Sequence, residues 1–347
     1  MMIDKDIEIR RVNRRSFLKY SGLLGAGLLV PGFMPVSESV AFDRRLYKIT
    51  RTRLTMGTFA AITLIHPSRA KADEAIGMAF DEMDRVGRLL TRYQTGSPVG
   101  TLNQDGFANG LPPEVMTVLS RSIHFNRISR GAFDVTVKPL VDLYKDHFAS
   151  YHTPPSRQQI NNALDRVDSR AICFNNNSVR FEKEGMGITL DGIAKGYIID
   201  CGIDVLMKNK VRHGLINAGG DIRVIGGRDG KTPWSVAIQN PEKNGENVNR
   251  ISMINGAIAT SGNYEVYFDR EKLYHHIMNP QNGAPAPELK SVTVLAGNAM
   301  DADALSTAVF VAGANAGKAL IEALPGTECL LMGSRGKNSV SSRWPSA

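Results

Sequence analysis

The sequence predicts one domain of the α+β class, with a mixed or antiparallel sheet and packed helices. Segments rich in β-forming residues come in runs, at residues 44–65 and again over 214–258, and do not alternate regularly with helices. A doubly wound parallel sheet requires that alternation, so the α+β class is favoured. No internal repeat or long linker divides the 347 residues, which are enough to bury a sizeable core.

The first half of the chain predicts a pair of strands followed by amphipathic helices. Residues 44–65 form two strands joined around Met56-Gly57-Thr58. Apolar residues at helical spacing place a helix over 70–90. A second helix opens at Pro112-Pro113 and ends at Gly131.

Two segments after this helix are predicted to be irregular. Residues 131–140 leave the helix into an extended segment. Residues 146–160 are polar and contain proline, which predicts a surface loop with a helix start near Pro155.

The second half predicts short strands separated by turns and closed by helices. Residues 179–182 and 187–190 bracket a hairpin-like turn, and a helix then runs from Gly192 to about Asn209. The inward face of that helix is expected to be Ile193, Tyr197, Cys201, Val205 and Met207. Further strands are expected at 215–217, 221–226, 234–238, 257–260, 274–283 (running into an Asn-Pro turn) and 291–296, and helices at 302–312 and 315–324.

The first 41 residues are interpreted as an export signal. The segment Asn13-Arg14-Arg15-Ser16-Phe17-Leu18-Lys19 matches the twin-arginine pattern, and an apolar stretch broken by glycine and proline follows it. Ser39-Val40-Ala41 offers small residues for cleavage, with an uncleaved membrane anchor as the alternative. We expect the twin-arginine export machinery as a partner, a periplasmic location with membrane association as an option, a folded body over 44–330 and a disordered tail over 335–347.

The composition disfavours two classes of function. The net charge is +8, yet no zinc-finger spacing appears, and aromatic residues, at 7%, are not interleaved with basic ones, so nucleic acid is not an expected partner. Three widely spaced cysteines form no disulfide framework or thiolate metal site, although one pair could form in an oxidising compartment. A mild positive charge suits an anionic small molecule or an anionic membrane surface.

Two glycine turns carry the first chemical signal. In the stretch from Gly187 to Asp200 a turn at Gly192 precedes Lys195 at the start of a helix, and a second turn lies at Gly219-Gly220. Such turns point backbone N–H groups at a ligand, and a following lysine suits phosphate. The alternative is a tightly packed helix start with a surface lysine. The second turn leads into a strand, which argues against a Rossmann-type dinucleotide site.

Oxygen-bearing side chains provide the second signal. Asp303 and Thr307 are four residues apart on a predicted helix, so carboxylate and hydroxyl share one face and could hold Mg²⁺. The alternative is that Asp303 supports the helix start and Thr307 only packs. His275 and His276 lie on opposite sides of a predicted strand, so only one of them can enter a given site, where it could act as a general base.

Taken together, these segments resemble the FAD:protein FMN transferase (ApbE) family over residues 55–325. The matching segments, in chain order, are Met56-Gly57-Thr58, Tyr93 with Ser97 and Asn103, Gly131-Ala132-Phe133-Asp134, Asp191-Gly192-Ile193-Ala194-Lys195-Gly196-Tyr197 with Asp200, Asn217 to Asp221, Thr260-Ser261-Gly262-Asn263-Tyr264-Glu265, His276 to Gly283, and Ala302-Asp303-Ala304 with Thr307. Each segment alone is weak evidence for the family, but all of them together in the family's order are specific to it.

The resemblance implies a T-fold-like architecture that binds FAD and Mg²⁺. It implies transfer of FMN to a Thr or Ser hydroxyl of an acceptor flavoprotein through a phosphoester bond, with release of AMP. The residues implied for the FAD site are Met56, Tyr93, Ala132, Phe133, Asp134, Asp191, Lys195 and His276. The implied Mg²⁺ ligands are Gly192 through its carbonyl, Asp303 and Thr307, and the implied catalytic residues are His276 as base with Asp303 and Lys195.

The chain departs from the family pattern at three places. Thr189-Leu190-Asp191-Gly192 replaces Asp-Leu-Gly-Gly, Asn263 replaces an aspartate, and Asn279 replaces another. These changes shift or remove negative charge near the expected anionic ligand. Two alternatives to the transferase stay open: an Mg²⁺-dependent FAD pyrophosphatase that yields FMN and AMP, and a non-catalytic flavin-binding protein.

Overall fold

The computed structural model describes residues 39–42, 46–229, 231–241, 247–264, 266–270, 272–334 and 336–345. The predicted export signal lies outside the described residues, except for its last three positions. These positions belong to a strand, Ser39–Phe42, that pairs antiparallel with the next strand.

The elements follow in chain order. The strands are β1 (Ser39–Phe42), β2 (Leu46–Thr55), β3 (Thr58–His66), β4 (Phe107–Ala108), β5 (Ile172–Asn175), β6 (Ser178–Phe181), β7 (Gly214–Ala218), β8 (Asp221–Ile225), β9 (Trp234–Gln239), β10 (Asn247–Met253), β11 (Gly256–Gly262), β12 (Leu289–Ala296), β13 (Glu328–Gly333) and β14 (Asn338–Val340). The α-helices are α1 (Arg69–Leu90), α2 (Pro98–Asp105), α3 (Pro113–Ile128), α4 (Lys138–Tyr151), α5 (Arg157–Leu164), α6 (Ala194–Lys208) and α7 (Ala299–Glu322).

The main sheet has nine strands in the order β1-β2-β3-β7-β8-β11-β12-β13-β14 among the described residues. Neighbouring strands in this sheet are antiparallel. A ribbon of β9 and β10 and a small sheet of β4, β6 and β5 lie beside it. The α+β class predicted from the sequence is confirmed.

The two faces of the main sheet are covered differently. Successive side chains of a strand point to opposite faces, and in β8 Val224 joins a cluster with Trp234 and Ile251 of the ribbon, whereas Ile225 joins the cluster under the helices. Helix α6 packs between α1 and α7, and α7 lies on β11 and β12. The sheet therefore has helices on one face and the ribbon on the other.

Helix α7 is the one helix in the described part of the chain that is long and apolar enough to cross a membrane. Half of its most apolar window is buried within the protein. Its packing on the sheet accounts for this composition. The two helices predicted at 302–312 and 315–324 are confirmed, since this segment consists of two helices joined at a kink at Gly313, where φ is 80°.

Several local predictions are wrong. Residues 131–140 are not extended, because Val135–Val137 form a 3₁₀ turn capped by Asp134 and lead into α4. The loop predicted over 146–160 therefore overlaps the end of α4, although α5 begins near the expected place, after a Ser156 cap.

Residues 187–190 are not a strand, although they satisfy their backbone groups in another way. The amide nitrogen and carbonyl of Ile188 both bond to the side chain of Asn103, and Thr189 N donates to the Val135 carbonyl. The Asn103 side chain and the loop at Val135 here supply the hydrogen bonds that a neighbouring strand would otherwise supply. The spacing of apolar residues in the sequence does not reveal such partners.

The predicted inward face of α6 is rotated. Its fully buried apolar residues are Ile198, Ile199, Ile203 and Leu206, whereas Met207 is 47% exposed. Ile193 is buried, and Tyr197, Cys201 and Val205 are partly buried. The cause is packing on two sides, since α1 and α7 cover different stripes of the same helix.

Two predictions near the C-terminus are also wrong. Residues 274–283 form only isolated bridges, Tyr267 with His275 and Met278 with Pro285. The tail predicted to be disordered is ordered over 336–345, because β14 pairs with β13 and the buried Ser341 hydroxyl accepts a hydrogen bond from Cys329 N.

Candidate functional site

The site is built where α6 and α7 begin. Asp200 of α6 accepts hydrogen bonds from the first amides of α7, Ala299 N and Met300 N, both at 2.9 Å. In return, Asp303 of α7 accepts from Gly196 N of α6 at 2.9 Å. Carboxylates at helix N-termini are favourable because the amides there lack helical partners. The two helix starts are thereby locked together.

This lock requires a glycine at position 196. A Cβ atom there would lie 2.2 Å from the carbonyl oxygen of Ala299. The backbones of α6 and α7 therefore approach more closely than any side chain would allow.

Two buried carboxylates and one lysine form the charged centre. Asp221, at the start of β8, is 2% exposed and Asp303 is 5% exposed. Lys195 Nζ lies 3.0 Å from Asp221 Oδ2. That oxygen accepts no well-directed hydrogen bond among the described residues, so we regard the contact as an ion pair rather than a hydrogen bond.

The electrostatics of this centre favour a bound cation. Burial, followed by the neighbouring Asp221 charge, raises the pKa of Asp303, whereas Lys195 and the Gly196 amide act in the opposite direction. Ionising both carboxylates beside one ammonium group would leave uncompensated negative charge. A divalent cation would offset it.

Thr307 lies one helical turn after Asp303 and faces Ser261 of β11. Its hydroxyl is 3.0 Å from Ser261 Oγ, which is also 2.7 Å from Ser306 Oγ. A Cβ at Gly192 would lie 2.9 Å from Thr307 Oγ1, so the Gly192 turn lies beside this hydroxyl with no room for a side chain. The structure thus brings Gly192, Asp303 and Thr307 together.

The donor set fits a hard cation. Carboxylate, hydroxyl and turn carbonyl are oxygen ligands of the kind Mg²⁺ takes, with its remaining positions left for water or phosphate. The described residues contain no cluster of three or more His, Cys, Asp and Glu side chains suited to a metal. A site of this kind would therefore depend on few carboxylates.

Met56 lies at the same end of the main sheet. Met56 and Gly57 both have positive φ, 53° and 71°, and connect β2 to β3 as a two-residue hairpin turn. The next strand pair brings Gly219 alongside, because Gly219 N donates to the Phe59 carbonyl. The Met56 turn and the Gly219-Gly220 turn are thus neighbours, and Asp221 directly follows the second turn.

Ala132, Phe133 and Asp134 follow α3. Phe133 is buried and near Gly192, where a Cβ would lie 3.4 Å from its ring. Asp134 lines a cavity of about 450 Å³. Its carboxylate accepts from Asn126, Thr136 and Ser169, so it holds the loop in shape. That these three residues line an FAD site stays a prediction.

Tyr93 and Asp191 are linked by a residue that the sequence motifs do not include. Arg92 stacks on the Tyr93 ring at 4.6 Å and lies 3.7 Å from Asp191 Oδ2. Asp191 N donates to Thr189 Oγ1 at 3.4 Å, so the threonine that replaces the family's aspartate supports the turn. Asn279 likewise keeps a turn, accepting from Gln281 N.

The two histidines have different roles. His275 is buried, with Nε2 2.9 Å from the Ala286 carbonyl and Nδ1 accepting from Ile277 N at 3.2 Å. His276 is half-buried, with Nδ1 3.2 Å from the Val266 carbonyl. His275 is therefore structural, and the role of His276 as a base stays a prediction.

Sequence reasoning assigned no site role to four residues that the structure places at or beneath the site, although three of them stand in the matching segments. Asp221 pairs with Lys195, and Arg92 supports the Tyr93 ring. Asp200 holds the start of α7, and Ser261 is the partner of the Thr307 hydroxyl. The signal for Asp221 was present: it ends a Gly-Gly turn at the start of a strand. Arg92 left no such signal, since its carboxylate partners, Asp142 and Asp191, lie far along the chain.

The chain is similar in sequence to a known protein family. The ApbE family model matches residues 56–331. A Vibrio cholerae protein named FAD:protein FMN transferase is 30% identical over 279 residues, which cover 78% of this chain and 83% of that protein. A Haemophilus influenzae protein of the same name is 31% identical over 243 residues, covering 66% and 69%.

Solved structures show the same similarity. The crystal structure of the ApbE protein from Thermotoga maritima gives a TM-score of 0.76 at 29% identity, over 86% of this chain and 97% of the other. The flavin transferase ApbE from Vibrio cholerae gives 0.72 at 27% identity, over 88% and 98%.

Proposed function

This chain belongs to the ApbE family, and from that premise we propose that it transfers FMN from FAD to a Thr or Ser hydroxyl of an acceptor protein with the help of Mg²⁺. At the coarser level it is a flavinyltransferase, as its relatives and structural neighbours are. The observation that carries the finer proposal is the buried Asp303 carboxylate, held on Gly196 N beside Lys195, Asp221 and Thr307.

The proposed reaction exchanges the phosphoanhydride bond of FAD for a phosphoester bond on the acceptor. The acceptor hydroxyl oxygen attacks the FMN phosphorus of FAD and forms a new P–O bond. The pyrophosphate P–O bond breaks, AMP leaves, and the hydroxyl proton passes to a base. Phosphoryl transfer of this kind is catalysed mainly by positioning and charge neutralisation.

The residues proposed for charge neutralisation are two oxygen-bearing side chains, one turn carbonyl and one lysine. Asp303, Thr307 and the Gly192 carbonyl would hold Mg²⁺, which when bound supplies positive charge at the phosphate oxygens. Lys195, kept near by Asp221 at 3.0 Å, lies in the first turn of α6, where the helix dipole also favours an anion. His276 is the proposed base for the acceptor hydroxyl, since an imidazole can take a proton near neutral pH.

Two rivals share this geometry in part. A pyrophosphatase would use the same residues with water as acceptor and give free FMN and AMP. A pure binding protein has no need of a buried carboxylate paired with a hydroxyl one turn away, so the Asp303 and Thr307 arrangement argues for turnover.

We also propose export to the periplasm by the twin-arginine pathway, on the strength of Arg14-Arg15 and the apolar stretch after it.

The test is mass spectrometry of an acceptor domain incubated with the protein, FAD and Mg²⁺. A gain of one FMN less water on a Thr or Ser, abolished by chelation and by Asp303→Asn, is expected. Asp301→Asn is the matched control, because it removes a carboxylate from the same helical turn that pairs with Arg121 at 2.7 Å instead. If FAD is converted to FMN and AMP without an adduct on any acceptor, the pyrophosphatase is favoured. If Asp303→Asn transfers FMN normally, the metal assignment is wrong.

A further inference from the structure

Arg92 is a buried arginine in the loop between α1 and α2. Its side chain is 9% exposed, which is unusual for arginine unless the charge is paired. The loop around it is well fixed, because the Ser97 hydroxyl donates to the carbonyls of Thr91 and Gln94 and caps α2. Arg92 therefore occupies a defined position and not a mobile one.

The guanidinium group contacts three groups at once. Nη1 donates to Asp142 Oδ1 at 3.0 Å, the Tyr93 ring lies 4.6 Å away, and Nε is 3.7 Å from Asp191 Oδ2. Asp142 is itself anchored, since Lys138 donates to its other oxygen at 2.6 Å. One edge of the guanidinium is thus fixed to α4, and its face and remaining edge are turned to Tyr93 and Asp191.

The two groups that Arg92 supports are open to a ligand. Tyr93 is 69% exposed and the Asp191 side chain is 51% exposed. A ring this exposed samples other rotamers unless something holds its face. A cation against the ring face provides such a restraint.

The Nε–H group of Arg92 is an unsatisfied hydrogen-bond donor. It is buried and has no hydrogen-bond partner within the described ranges. Leaving a buried donor unsatisfied costs free energy, which a hydrogen bond would recover. The Asp191 carboxylate, at 3.7 Å, is one short movement beyond hydrogen-bond distance.

We propose that Arg92 is a positioning residue for the flat ring system of FAD, fixing the plane of Tyr93 as a stacking surface and drawing the Asp191 carboxylate onto its Nε–H when the ligand binds. This inference rests on the proposed function of the site. In this assignment Arg92 contacts neither the phosphates nor the reacting atoms of FAD, so its effect should fall on FAD binding and KM more than on kcat.

The first measurement is FAD affinity by quenching of flavin fluorescence. Arg92→Ala should raise the Kd about tenfold or more, because the ring loses its cation and Asp191 loses its donor. Arg92→Lys keeps the charge but loses the planar stack, so an intermediate rise of about threefold is expected. Arg88→Ala is the matched control: Arg88 is exposed in the last turn of α1, and its removal should leave the Kd within about twofold. Thermal unfolding shows whether each variant folds. If Arg92→Ala does not fold, the Kd of Arg92→Lys decides the test.

A double-mutant cycle separates positioning from a merely structural role. If Arg92 acts through Tyr93, then Arg92→Ala should weaken binding by less than about threefold in a Tyr93→Ala background. An equal loss in both backgrounds, or a wild-type Kd for Arg92→Ala, would overturn the proposal while leaving the transferase intact. A wild-type protein that binds no FAD would overturn both.

Discussion

His275 should make the protein less stable in mild acid. The ring is 4% exposed, meets Phe310 edge-on at 5.6 Å, and bonds through both nitrogens to the backbone. One nitrogen accepts and the other faces a carbonyl and must donate, which is the neutral form of imidazole. Burial lowers the pKa of His275 to about 4 from an ordinary value of 6.5.

The direction of the effect follows from the two pKa values. The unfolded chain takes up the proton near pH 6.5, and the folded chain does so only near pH 4. The stability contributed by the neutral ring is therefore complete above pH 6.5 and is lost as the pH falls toward 4. A shift of this size corresponds to about 3 kcal/mol in full, of which about 2 kcal/mol is lost by pH 5.

Urea unfolding of the full chain at pH 7.5 and pH 5, followed by circular dichroism, measures this loss. His275→Gln keeps a donor toward Ala286, and His275→Asn keeps an acceptor for Ile277 N, but neither side chain titrates. Both variants are expected to be less stable than wild type at pH 7.5, yet to lose about 2 kcal/mol less than wild type between the two pH values. If both variants lose as much stability as wild type between pH 7.5 and 5, the protonation of His275 is not the cause and the reasoning is wrong.

Three other substitutions test the packing beneath the site. Gly196→Ala places a Cβ 2.2 Å from the Ala299 carbonyl, so α6 and α7 must separate; a loss of about 3 kcal/mol in urea unfolding is expected, and an unchanged midpoint would contradict the close approach. Asp200→Asn leaves Arg223 half-satisfied and weakens the cap of α7, for a loss of about 3 kcal/mol, whereas Asp204→Asn on the exposed face of α6 should cost under about 0.5 kcal/mol. Ser261→Ala removes the partner of the Thr307 hydroxyl at 3.0 Å, so the Mg²⁺ concentration for half-maximal transfer should rise about tenfold; no change in the magnesium titration would count against Thr307 as a ligand.

Local patterns were sufficient for most of the fold. The hairpin around Met56-Gly57 is specified by β-forming residues on both sides of a turn that only a few residue types adopt. Helix α1 follows from apolar spacing alone, and the residues buried along it recur at helical spacing. Predictions failed where a segment takes its conformation from a distant partner, as residues 187–190 do from Asn103, 85 positions away.

The sequence by itself determined the α+β class, most element positions and the set of motifs shared with the ApbE family, because these depend on residue types at short spacing. Only the tertiary structure decided how the site is held together. Gly196 meets Asp303 across 107 residues and Arg92 meets Asp142 across 50, and no local pattern specifies which carboxylate a buried donor will find. Such pairings are selected when the folded core excludes water and each buried polar group must be satisfied by whatever partner the packing brings to it.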